Sequence, residues 1–176
     1  MTQEASRSGD LKADLLKEIA LEIGSHEDWW LFPTQEPIQG FMGTDALFIV
    51  GDQPSTAEWG PGHPSRIMFY QTLQNVGLHN AHLTDLYKKR GFSSSLDPAL
   101  LPDDFLEHVN LLRREIEILR PKLIVGLGQL AQRLLNQSLP EWRDPIPRIY
   151  HFSHVVKEGL DTKQYENNMR EIILGE

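Results

Sequence analysis

Apolar positions along this chain fall into two rhythms, a spacing of three to four residues and short continuous runs, and their alternation predicts the fold. Leu11, Leu15, Leu16, Ile19 and Ile23 share a face over residues 10–23, and Gly24 follows as a stop, which predicts a helix. Residues 24–45 are rich in proline, glycine and aromatics, including Trp29, Trp30, Phe32 and Phe41. Loops of that length are functional or are packed by their own side chains. A strand is predicted over 46–51, followed by a polar, Gly/Pro-rich segment over 52–65. Ile67, Tyr70, Leu73 and Val76 then mark a helix from about 65 to 76, with Gly77 after it.

Residues 80–86 read as a strand, and Asp103 or Asp104 is placed to cap the next helix. That helix, near 104–119, carries Phe105, Val109, Leu112, Ile116 and Leu119 at steps of 4, 3, 4 and 3, and Pro121 follows it. KLIVGLG predicts a strand over 122–128 and a helix from 129 to about 136, IPRIYHF a last strand over 146–152, and 162–174 a closing helix. The alternation places the chain in the α/β class, as three α/β/α layers around a central parallel sheet of about four strands. One domain over 1–176 is expected: an N-terminal helix and loop (1–45), a sheet core (46–156) and a C-terminal helix (157–176).

In such a sheet, ligands bind at the carboxyl ends of the strands. Those ends read GDQPS (51–55), LTDLYKKRG (83–91), GLGQLA (126–131) and HFSHV (151–155). They bring Asp52 and His151 to one edge, a carboxylate and an imidazole suited to acid–base or electrostatic work.

Composition narrows the chemistry. The chain has 40% hydrophobic and 24% charged residues, and no apolar run approaches the roughly 18–20 residues of a membrane span. MTQEASRSGD lacks the basic-then-apolar order of a secretion signal, so a cytoplasmic location is expected. The absence of cysteine excludes disulfides, thiolate nucleophiles and iron–sulfur clusters. A net charge of −8 opposes nucleic-acid binding by the whole surface but leaves room for a local basic patch at Lys88, Lys89 and Arg90, with Arg66, Arg148 and Lys157 near other strand ends. His151 with His154, and His79 with His82, are three apart, a spacing that does not converge on one ion at a turn without carboxylate help. No metal or other cofactor is therefore expected.

Over roughly residues 45–156 the chain resembles the uracil-DNA glycosylase superfamily. The resemblance rests on five features in order: a Gly-acid-x-Pro turn after the first strand, a Gly/Pro-rich stretch into a helix ending in VGL, a Thr-Asp-x-x-Lys strand end, a helix running into RPKLIVGLGQLA, and a His-x-Ser turn. It implies base extrusion from DNA, at a cost of about a few kcal/mol, and hydrolysis of the N-glycosidic bond. Asp52 would then position water and support the sugar cation, and His151 would donate to the base oxygen. Gln53, Pro54 and Ser55 would shape the base-binding turn, and Ser153 would orient its loop or hold a phosphate. Phe69 or Trp59 would stack on the base, with helix packing the alternative for Phe69. Lys88, Lys89 and Arg90 would contact phosphate. The plainer readings are a turn-forming Asp52 and a hydrogen-bonded strand-end His151.

Three departures from the family pattern bear on substrate. The cysteines that hold an iron–sulfur cluster in many close relatives are absent. Asp85 stands where the family usually has asparagine; ionised, it offers acceptors only and suits a base presenting an amino group or a protonated ring nitrogen. Phe152 replaces the proline between His151 and Ser153, which reshapes the loop or supplies a wedge into the duplex. Specificity moved away from plain uracil, or reduced activity, is the expectation. Two other readings compete: a glycosylase-fold module that binds nucleic acid or a partner without catalysis, and a dinucleotide-binding protein, since GLGQLA satisfies Gly-x-Gly-x-x-Ala between a strand and a helix.

Overall fold

The computed structural model describes residues 2–55, 59–91 and 97–176. Among these residues four short strands, β1 (Leu47–Gly51), β2 (His82–Asp85), β3 (Leu123–Leu127) and β4 (Arg148–Ile149), form one parallel sheet in the order β2-β1-β3-β4. Val50 pairs with Thr84 on one side and Gly126 on the other, and Gly51 pairs with Asp85. The strand ends are therefore level, and the residues that follow them share one rim.

Among the described residues six α-helices pack around the sheet: α1 (Thr2–Gly24), α2 (Pro64–Asn75), α3 (Phe105–Leu119), α4 (Gln129–Ser138), α5 (Phe152–Lys157) and α6 (Thr162–Met169). The pleat of β1 sends Phe48 and Val50 to one core and Ile49 to the other. The first core joins them to Leu16, Ile19 and Ile23 of α1, to the stripe of α3 and to Leu134 and Leu135 of α4. The second holds Phe69 and Leu73 of α2, Phe152 and Val155 of α5, and Tyr165 and Met169 of α6. Both faces of the sheet are thus covered, as the continuous apolar runs of β1 and β3 require. Each buried large apolar side chain contributes on the order of 1.5–3 kcal/mol.

The structure departs from the expectation at α1, which starts at Thr2 and not at residue 10, and at the other end of the chain. The last strand spans two residues, not seven, because the chain turns at Tyr150 and His151 into α5. The closing helix is α-helical only to Met169 and continues as a π-turn over Arg170–Leu174. Asp104 stands at the N-cap of α3 but makes no capping bond, since its carboxylate accepts from Lys89 Nζ and Tyr87 OH. Among the described residues no helix is long and apolar enough to cross a membrane.

Candidate active site

The strand order reverses between β1 and β3, and the crevice beyond their carboxyl ends is where an open parallel sheet binds ligands. A cleft of about 480 Å³ lies there, and it brings together Asp52 and Ser55 after β1, Gly128 and Gln129 after β3, and His151 and Ser153 after β4. Close packing forms its floor. A Cβ on Gly126 would stand 2.7 Å from the backbone of Gln132, so α4 settles onto β3 only over a glycine. Gly128 adopts φ 94° and faces the Cβ of His151. Packing thus accounts for both glycines of GLGQLA.

His151 is the N-cap of α5. Its Nδ1 accepts the backbone N–H of Ser153 at 3.1 Å and lies 2.6 Å from Ser153 Oγ. A backbone N–H only donates, so Nδ1 carries the lone pair and the neutral ring bears its proton on Nε2. Burial, with Lys157 and His154 nearby, pushes the imidazole down to about 4. Near pH 7 it is a neutral ring with one fixed N–H donor. These contacts tie Ser153 to the His151 ring at the start of α5.

Asp52 is half-buried at the end of β1. Burial raises its carboxyl, and hydrogen bonds from the backbone N–H groups of Asp52 and Gln53 partly oppose the rise. The turn-forming reading of Asp52 is therefore present in the geometry, and the same turn holds the carboxylate at the cleft.

A second, inner cavity adjoins the cleft and shares Gln53, Pro54, Ser55, Leu127, His151 and Phe152 with it. It adds Phe32, Trp59 and Asp85, with Trp30 and Arg90 also lining it, and its free volume is about 10 Å³, room for one water. Asp85 is buried, and its Oδ1 would stand 2.2 Å from a Cβ on Gly51, so the glycine of GDQPS makes space for this carboxyl. Burial pushes Asp85 up to about 8, with Lys88 lowering it and Asp52 and Glu115 raising it further. The acceptor-only reading presumed an ionised side chain, and burial at the end of β2 opposes that ionisation.

The basic run does not form the expected patch. Lys88 is fully buried; its Nζ donates to Thr84 Oγ1 at 2.5 Å and the Asp85 carbonyl at 2.6 Å, and pairs with Glu115 at 2.9 Å. Glu115 also meets His82 Nε2 at 3.1 Å, and despite burial its carboxyl is held below its ordinary value by Lys88 and His82. A DNA phosphate cannot reach Lys88. Lys89 pairs with Asp104 at 2.6 Å and Asp28 at 3.6 Å, while Arg90 is exposed and lies over the Trp30 ring at 4.7 Å. Arg66 is buried too, donating to the Trp59 carbonyl, whereas Arg148 and Lys157 are exposed.

The aromatic assignments change as well. Phe69 is fully buried against Phe152 and Phe32 and lines neither space, so it packs α2 and is not placed to stack on a ligand. Trp59, the other candidate, lines the inner cavity and stacks on Phe152 with centroids 5.2 Å apart. Phe152 is therefore a core side chain and not a wedge. Sequence reasoning missed Phe32 and Trp30, whose loop is fastened by the Trp30 N–H to the Lys88 carbonyl at 2.8 Å, and missed His63 and Ser65 in the cleft. Only the aromatic density of residues 24–45 signalled the first pair. Among the described residues, no three His, Asp or Glu side chains come together as a metal-ligand set. No family model matches the chain, and no curated protein matches it.

Proposed function

We propose that this chain is a DNA glycosylase-like hydrolase that cleaves the N-glycosidic bond of a flipped uracil or related base. The observation that carries the reading is the shared cleft: the Asp52 carboxylate and the His151 imidazole line one space of about 480 Å³ at the sheet's switch point. As the bond to the base breaks, the sugar gains cationic character and the electron pair leaves with the base. Asp52 supports the cation and takes a proton from the attacking water. The His151 Nε2–H donates to the base carbonyl oxygen that receives the negative charge. A donor held in place beforehand is worth about 10²–10³ in rate. The neutral ring suits this role, because its proton is fixed on Nε2 by the Ser153 contact at Nδ1.

A second reading keeps the fold without catalysis, as a nucleic-acid or partner-binding module. It is favoured by the inner cavity, whose 10 Å³ admits one water and no whole base. Under the hydrolase reading the base ring occupies the outer cleft and only its edge faces the inner cavity. An abasic-site assay on oligonucleotides containing uracil, hypoxanthine or modified cytosine separates the two. Product from the wild type that is lost in Asp52→Asn supports the hydrolase, and no product from either protein supports the binding module.

A further inference from the structure

Arg66 is 5% exposed, and among the described residues no carboxylate pairs with it. One of its Nη atoms donates to the Trp59 carbonyl at 3.1 Å, while Nε is buried without a hydrogen-bond partner. The guanidinium lies over the rings of Trp59 and Tyr70, at 5.6 and 5.3 Å from their centroids. Ring faces and one carbonyl offset only part of the desolvation of a buried cation, which ordinarily also has an anion beside it.

Arg66 lines a groove of about 610 Å³, within the range of ligand sites. Arg90 brings a second guanidinium, Trp29, Trp30 and Trp59 bring aromatic walls, and no acid lines the groove among the described residues. In a chain with 25 acidic and 17 basic residues this is a local reversal of charge. Glu27 and Asp28 line a neighbouring pocket instead, and Asp28 pairs with Lys89.

The walls are held in place from both sides. The Trp30 N–H donates to the Lys88 carbonyl at 2.8 Å, and Tyr70 OH, from the helix that carries Arg66, donates to the Pro33 carbonyl at 2.6 Å. Trp29 is covered by the His26 ring, stacked with centroids 3.7 Å apart. Trp30 is half-buried, with Arg90 over it at 4.7 Å and no ring stacked on it among the described residues. Trp30, Trp59 and Arg90 also line the inner cavity, so the groove continues the rim at the strand ends.

We propose that this groove binds an unpaired nucleotide of a DNA single strand, its base stacked on Trp30 and its phosphate held by Arg66 and Arg90. An aromatic platform beside guanidinium groups recognises a nucleobase and its phosphate together and tolerates any base. A duplex does not fit this chemistry, because its bases are stacked on one another and its outer phosphates do not enter a groove to reach a buried arginine. Binding here breaks no bond, so it stands apart from the hydrolase reading.

The test is the affinity for a labelled oligothymidylate single strand and for its duplex with oligoadenylate, neither of which contains uracil. Fluorescence anisotropy over a range of salt concentrations compares the wild type with Trp30→Ala, Arg90→Ala and Arg66→Met. The single strand is expected to bind more tightly than the duplex, and Trp30→Ala to weaken the single strand about tenfold with little effect on the duplex. Each arginine variant is expected to lower the slope of log Kd against log salt by about 0.7, the loss of one phosphate contact. Single-strand binding that is absent, or unchanged in all three variants, overturns the proposal. So does equal weakening of strand and duplex by Trp30→Ala. Thymidine monophosphate that binds as tightly as the strand also overturns it, since the groove would then take a free nucleotide. If Arg66→Met does not fold, the exposed Arg90 and the half-buried Trp30 decide the outcome.

Discussion

Replacing Lys88 with methionine keeps most of its volume and removes the charge that balances Glu115. The wild-type ammonium has three partners, Thr84 Oγ1, the Asp85 carbonyl and Glu115, all inaccessible to water. In Lys88→Met the Glu115 carboxylate retains only His82 of its two ionisable partners. Removing one member of a buried ion pair costs about 3–5 kcal/mol, against a total stability of about 5–15 kcal/mol for a domain. With a urea slope of about 2 kcal/mol per molar, the unfolding midpoint should drop by about 2 M. Adding Glu115→Gln removes the stranded charge and should restore most of the loss, because replacing both partners is close to neutral. The contrary result is a Lys88→Met stability shift of less than about 1 kcal/mol together with a salt-dependent weakening of DNA binding. That pair of results would make Lys88 a surface cation after all.

Stability should be greatest near pH 6.5, measured by urea unfolding across the pH range. Asp85 is raised from 3.8 to about 8, so the stabilisation of its acid form is complete below the unfolded value and is lost as pH rises through the folded one. His108 and His151 are both lowered to about 4, so their contribution falls away as pH drops below 6.5. From about pH 6.5 to about 8 the loss should be about 2 kcal/mol, and Asp85→Asn should abolish it. His151→Ala should lower base release by about 10²–10³-fold while leaving oligonucleotide affinity within about threefold, as kinetics and fluorescence anisotropy would report. Gly51→Ala puts a methyl 2.2 Å from Asp85 Oδ1, inside a cavity with no slack, and should destabilise by about 1–3 kcal/mol on thermal unfolding.

The sheet core was legible because its signals are local. LFIVG and LIVGL are unbroken apolar runs between turn residues, and α3 carries its stripe at regular steps. The rim positions of Asp52 and His151 followed from where those runs stop. The last strand was overread because Tyr150, His151 and Phe152 continue the apolar run in sequence, while in space the His151 ring caps a helix. The basic run was read as solvated because a lysine beside another lysine and an arginine ordinarily is. Its burial depends on Glu115, a partner 27 residues away on another element. One signal was there: His108 and Glu115 both fall on the buried stripe of α3, with Leu112 and Leu119 at alternating steps, and a charged residue on a core face asks for a partner. The protonation of Asp85 could not be read from the chain at all, since it depends on which neighbours already hold the nearby charges.

Under the proposed function one carboxylate and one neutral imidazole act together on a glycosidic bond. This joint action is tested most directly by mass-spectrometric detection of free base from a uracil-containing oligonucleotide, using the wild type, Asp52→Asn and His151→Ala. Free uracil is expected from the wild type, with a loss of at least about a hundredfold in each variant. Wild-type protein that releases no base, or variants that release it as fast as the wild type, would contradict it.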